Sequence, residues 1–219
     1  MANPLYVFDL DKTLINGDCA MIWNAFLAEK GIATDANFVQ EDQRLMALYD
    51  QGKMNMADYL AFTIAPLTHL PIEEVHALAA ECVERDILPK QFSQAKTLIA
   101  QLQREGIDML IISASVSFLV KAVAQRLGIK QAIGIDLQLN GDRYSTQISG
   151  IPSYREGKVT RLKEWLKTEN RSDVTIHFYT DSINDLPLCQ YADVTYLVNP
   201  CPQLEAYSAQ TKWTKLKWY

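Results

Sequence analysis

At 219 residues, 48% hydrophobic and 21% charged, the chain has the make-up of a globular protein, either one domain with an elaboration or two small domains. A formal net charge of −5 excludes a nucleic-acid surface that depends on basic stripes, so no nucleic-acid partner is expected. No apolar run approaches the roughly 18 residues that would span a bilayer, which argues against a membrane partner.

The chain opens on a short apolar run, Leu5-Tyr6-Val7-Phe8, that stops abruptly at Asp9 and reads as a buried strand. From about residue 17 to 88 there is no convincing strand. Helix-like stretches fall around 19–30, 35–51, 56–65 and 72–85, punctuated by Pro66, Pro71 and Pro89. A helix is predicted over 90–105, with Ala95, Leu98, Ile99 and Leu102 on one face and Gly106 as its stop. Asp108 to Ile112 is the next strand and runs into Ser113. Val116 to Leu127 is a helix ending at Gly128.

Asp136 to Ile148 alternates polar and apolar residues around Asn140-Gly141, a hairpin signal. Lys158 to Lys167 repeats the helical pattern, Val174 to Tyr179 is a strand running into Thr180-Asp181, and Val194 to Val198 is another. The end of the chain interleaves Lys212, Lys215 and Lys217 with Trp213, Trp218 and Tyr219, as an amphipathic last strand would. Strand–helix alternation of this kind predicts an α/β fold, a Rossmann-like parallel sheet with helices on both faces. The expected domains are a core of residues 1–16 and 89–219 and an all-helical cap of residues 17–88 inserted after the first strand. Such sheets bind ligands at the carboxyl ends of their strands, where Asp9, Ser113 and Asp181 gather.

Four cysteines (Cys19, Cys82, Cys189, Cys201) lie far apart with no C-x-x-C pair, and no signal-peptide pattern precedes them. Free thiols and a cytoplasmic location are expected. His69, His76 and His177 lack zinc-ligand spacing.

Asp9-Leu10-Asp11-Lys12-Thr13 puts two carboxylates two apart at a strand exit, on the same side if the extended geometry persists. Phosphoryl transfer needs an anionic nucleophile, a proton donor for the leaving oxygen and cations to offset the phosphate charge. Asp181-Ser182-Ile183-Asn184-Asp185 adds carboxylates suited to a hard divalent cation, although Asp181 and Asn184 also suit helix caps.

These motifs, with Ser113 after an apolar strand and Gly157-Lys158 opening a helix, stand in the order used by the haloacid dehalogenase superfamily. The chain most resembles its phosphoserine-phosphatase-like branch. The resemblance implies an Mg2+-dependent phosphatase for a small phosphorylated metabolite, as a monomer or homodimer. Asp9 would attack phosphorus, Asp11 would move protons, and Ser113 and Lys158 would hold the phosphoryl oxygens. Asp9, Asp11 through its carbonyl, and Asp181 would hold the metal, with Asp185 supporting through water or Lys158; Asn184 joins the expected substrate contacts. Lys12 is expected to point away from the metal.

In the same branch a cap arginine grips the substrate carboxylate, and alignment puts Thr63 at its position. A threonine cannot make that fork. Asp18 falls where the branch binds the substrate amine, or it is simply a helix N-cap. Arg44 is a further candidate for the substrate's anionic end, or a surface residue. Gly17-Asp18 and Tyr59-Leu60-Ala61-Phe62 resemble branch members assigned to histidinol phosphate, so a phosphorylated amine without a carboxylate is expected. The alternatives are phosphoserine as substrate and a non-catalytic cap-and-core binding protein.

Overall fold

The computed structural model describes residues 3–219. In chain order the elements begin with strand β1 (Asn3–Phe8) and helices α1 (Cys19–Glu29), α2 (Phe38–Asp50), α3 (Met56–Ile64), α4 (Ile72–Cys82) and α5 (Ser93–Arg104). They continue with β2 (Asp108–Val116), α6 (Ser117–Leu127), β3 (Gln131–Ile135), β4 (Leu137–Asn140), β5 (Arg143–Ile148) and α7 (Glu156–Thr168). The chain ends with β6 (Val174–Thr180), α8 (Leu186–Tyr191), β7 (Val194–Val198), α9 (Pro202–Ser208) and β8 (Thr214–Leu216). Between α4 and α5 the backbone widens into a π turn at Val83–Ile87 and tightens again at Leu88–Lys90.

Six strands form one sheet in the order β3-β2-β1-β6-β7-β8, every pairing parallel, while β4 and β5 make a separate antiparallel hairpin. This is the Rossmann-like α/β core with a helical insert after β1 that the alternation predicts. Strand alternation sends Leu5 and Val7 to one face, where they meet Leu162 of α7, Leu188 of α8 and Leu204 of α9. Phe8 and Ile111 face the other way and join a continuous apolar cluster. That cluster runs through Trp23 and Phe26 of the insert to Leu119 of α6, so insert and sheet share one core.

Short elements account for the differences from the sequence reading. β3 (Gln-Ala-Ile-Gly-Ile) carries too little apolar signal, and α8 and α9 are of two turns or fewer, each opened by a proline. Gly134 in β3 lets the strand approach α6, since a Cβ there would stand 2.7 Å from Ser117 Cα. All four cysteines are free, and among the described residues no helix is long and apolar enough to cross a membrane.

The sheet's chain order reverses at β1: β2 and β3 extend to one side, β6 and β7 to the other. The crevice at such a switch point is where open parallel sheets place their ligands. Asp9 leaves β1 there, its N–H donating to Tyr179 O at 2.9 Å, so the exits of β1 and β6 lie side by side. α7 delivers Lys158 to the same place from below, and Gly157 makes that possible. A Cβ at Gly157 would stand 2.0 Å from Pro152 O, which is backbone and cannot step aside. Gly157→Ala is therefore expected to lower stability by about 1–3 kcal/mol through overpacking. Urea unfolding reads this as an earlier midpoint at unchanged slope, and a parent-like midpoint would show that the Pro152 loop yields freely.

Candidate active site

Lys158 is 1% exposed, its ammonium 2.7 Å from Asp9 Oδ1 and 2.7 and 2.8 Å from the two oxygens of Asp185. Burial alone would lower its pKa, but Asp185 and Asp9 outweigh that and hold it raised. Lys158 sits in the first turn of α7, where the helix dipole disfavours a cation, so the two carboxylates also offset the helix. Thr180 Oγ1 donates to Asp185 Oδ2 at 2.7 Å and completes that carboxylate's shell. Asp185 is thus turned to Lys158 and Thr180, the contact with Lys158 being one of the two supporting routes expected for it.

Asp9 and Asp181 are both buried and approach one hydroxyl. Thr13 Oγ1 lies 3.4 Å from Asp9 Oδ2 and 3.3 Å from Asp181 Oδ1. One hydroxyl proton cannot serve two carboxylates. Burial first, with Asp185 and Asp11 adding and Lys158 opposing, pushes Asp9 up to about 7. Burial and Asp9 push Asp181 up as well. Two desolvated carboxylates short of positive charge form a donor set of hard oxygens, which suits a divalent cation such as magnesium. Among the described residues no three acidic, histidine or cysteine side chains converge into a closed cage.

Asp11 is oriented rather than buried. Its Oδ1 accepts from Cys19 N at 2.6 Å, and its Oδ2 accepts from Ser113 Oγ at 3.2 Å and Ser115 Oγ at 3.1 Å. Pairing of β2 with β3 breaks register between Ile112 and Val116, which frees the Ser113–Ser115 stretch to turn both hydroxyls to the site. Ser115 is absent from the sequence reading; its spacing of two from Ser113 on one strand was the available signal.

Asp9, Asp11, Ser115 and Asp181 line a cavity of ≈ 530 Å³ roofed by the helical insert, whereas Ser113 and Lys158 lie behind its wall. Asp18 lines it while also capping α1, its Oδ1 accepting from Met21 N at 3.0 Å. Burial and the nearby Asp11 charge push Asp18 up to about 7. Lys12 lines the cavity mouth, 3.7 Å from Asp50 of α2.

Two expected contacts, Arg44 and Asn184, lie outside the cavity lining, and so does Thr63, from which no contact was expected. Arg44 is on the solvent face of α2, bound to both Glu41 oxygens at 2.8 and 2.7 Å, one turn away and outside the cavity lining. Thr63 is buried within α3, its hydroxyl donating to Tyr59 O at 3.1 Å. Asn184 faces the insert, donating to Tyr49 O at 3.0 Å.

The chain matches the haloacid dehalogenase-like hydrolases over residues 6–190. It belongs to that family, as one of its phosphatases. This hydrolase is 33% identical over 216 residues to the histidinol-phosphatase of Neisseria meningitidis serogroup C (strain 8013), covering 97% of each chain. A protein of unknown function from Bordetella pertussis Tohama I superposes with a TM-score of 0.90 at 29% identity, covering 99% of each chain. A substrate-bound phosphoserine phosphatase superposes with a TM-score of 0.68 at 19% identity, covering 94% of this chain and 90% of that one, which shows the shared fold.

The charge excess at Asp9 gives a stability prediction for the hydrolase without metal. An unfolded aspartate ionises at about 3.9, whereas folded Asp9 ionises at about 7. Below the first value both states are protonated and Asp9 costs nothing. As pH rises through the second, the folded protein must hold the charge, and stability is lost. In EDTA, Asp9→Asn is expected to melt above the parent at pH 8 and level with it only below about pH 3.9, and magnesium chloride should close the gap at pH 8. A gap independent of pH would remove the charge argument.

Proposed function

We propose that this hydrolase is a magnesium-dependent phosphomonoesterase acting through an aspartyl-phosphate on a small phosphorylated amine that lacks a carboxylate, histidinol phosphate being the leading candidate. The observation that carries this reading is the charge on the cavity wall. Asp9, Asp11, Asp18, Asp50 and Asp181 line it against a single cationic side chain, Lys12. Asp9 and Asp181 would hold magnesium, Asp11 is engaged with the serines, and Asp50 faces Lys12. Asp18 is left for a cation brought by the substrate. Among the described residues no arginine lines the cavity, so no planar fork awaits a carboxylate, which disfavours phosphoserine.

The volume suits a small metabolite, and Met46, Met54, Met56 and Tyr59 supply an apolar wall on which a flat ring can lie. The name of the Neisseria relative agrees with this class of substrate.

In the first step a carboxylate oxygen of Asp9 forms a bond to phosphorus while the ester oxygen leaves, taking a proton from Asp11. Asp11 then accepts a proton from water as that water attacks phosphorus, and the bond to Asp9 breaks to release inorganic phosphate. Lys158 offsets negative charge next to Asp9 throughout, and Ser113 and Ser115 keep Asp11 aimed. A bound magnesium ion supplies further charge neutralisation at the transferring phosphoryl group.

The test ranks kcat/KM over histidinol phosphate, phosphoserine, phosphoethanolamine and sugar phosphates. Asp9→Asn should abolish turnover while the protein remains folded. Asp18→Asn preserves the helix cap and removes the charge. It should raise KM for histidinol phosphate about tenfold, the loss of roughly 1.4 kcal/mol, and leave a phosphate ester without an amine unchanged. Faster turnover of phosphoserine, or an equal effect of Asp18→Asn on both esters, would overturn the substrate assignment.

A further inference from the structure

The C-terminal end of α2 and the turn after it form the outer wall of the cavity, with Met46, Tyr49 and Met54 lining it. Loops from the sheet half of the molecule hold this wall by polar contacts. The Arg155 guanidinium donates to Gly52 O. Asn184 Nδ2 donates to Tyr49 O at 3.0 Å and Gln203 Nε2 to Asp50 O at 3.5 Å. The acceptors are backbone carbonyls at or just past the end of α2, the negative end of the helix dipole, and Tyr49 O also accepts from Gly52 N at 2.9 Å. A guanidinium suits that place better than a neutral group.

The two main donors are themselves joined. Arg155 Nε and Tyr154 Oη each lie 3.4 Å from Asn184 Oδ1, and the Tyr154 ring packs 5.6 Å from that of Tyr49. Each donor also stands on the approach to the buried ion pair: Arg155 is the residue preceding α7, which carries Lys158, and Asn184 directly precedes Asp185. Arg155 has φ +52° and ψ −124°, a backbone conformation that non-glycine residues hold only where surrounding contacts impose it.

We propose that Arg155, together with Asn184, is a positioning residue that fastens the end of α2 over the cavity, anchoring the closed wall to the two loops that deliver Lys158 and Asp185. The assignment goes beyond the substrate reading and does not depend on which leaving group the cavity accepts.

The test compares the parent with Arg155→Ala and Arg155→Lys, using p-nitrophenyl phosphate as substrate, inorganic phosphate as inhibitor and magnesium chloride present. Loss of one charge-assisted contact should raise both KM and the phosphate inhibition constant about tenfold in Arg155→Ala, with kcat within about twofold. Arg155→Lys, which keeps a cation but loses the fork, should fall between. Hydrogen exchange should quicken over residues 46–54 in Arg155→Ala, with α7 unchanged. A purely structural arginine behaves differently: partial unfolding lowers kcat through the active fraction and leaves KM and the inhibition constant at parent values. That result, or unchanged exchange at residues 46–54, would overturn the assignment.

Discussion

A lysine ammonium sealed from water between two carboxylates organises this hydrolase. Removing Lys158 from solvent costs several kcal/mol unless its charge is met at hydrogen-bond distance, and Asp9 and Asp185 meet it from the exits of different strands. Keeping the three together sets demands on the fold. β1 and β6 must be neighbours, as the switch point makes them. α7 must reach in closely enough to need a glycine against Pro152 O, and Thr180 must turn its hydroxyl to Asp185. The motifs lie far apart in sequence because each belongs to a separate strand–helix unit; the ion pair is what makes their separate geometries one site.

The same site is left short of positive charge. Among the described residues Lys158 pairs with Asp9 and Asp185 and not with Asp181, and the donor shared by Asp9 and Asp181 is a single threonine hydroxyl. Burial therefore raises both carboxyls, a cost that the large apolar core shared by sheet and insert can absorb. Such a deficit has chemical use. A carboxylate fully neutralised by lysine would be a poor nucleophile, whereas one held between lysine and a hard cation can approach an anionic phosphate without being repelled from it.

How much of this was legible follows from how each residue is signalled. Strand exits are marked by an apolar run ending on a polar residue, so Asp9, Ser113 and Asp181 could be read from the chain, as could five helices between β1 and β2. Ser115 was missed although its spacing of two from Ser113 on β2 puts both hydroxyls on one side of the strand, where both reach Asp11. Arg44 and Asn184 carry the right chemistry for a substrate contact, but helix phase turns the first to solvent and Asn184 toward Tyr49. Asp185 was expected to act through water or Lys158, and the lysine is the partner it takes. Thr63 shows the limit of alignment: it is a core residue of α3, and the absence of a carboxylate clamp rests on the cavity lining instead. Arg155 had no sequence signal, since its role depends on a backbone conformation that its residue type disfavours.

Asp18 shows how a structural and a functional role can be separated by energy. It caps α1, and capping needs only an oxygen acceptor, which serine or asparagine supplies about as well. An aspartate here instead places a carboxyl in a buried wall beside Asp11, where it is pushed up to about 7. Capping alone would favour the neutral residues, which avoid that cost. The added charge is favourable only when a cation occupies the cavity next to it, and Lys12 is already drawn to Asp50 at 3.7 Å. An ammonium on the substrate meets the condition. The excess acidity of the wall is thus the physical basis for reading this hydrolase as a phosphatase of phosphorylated amines.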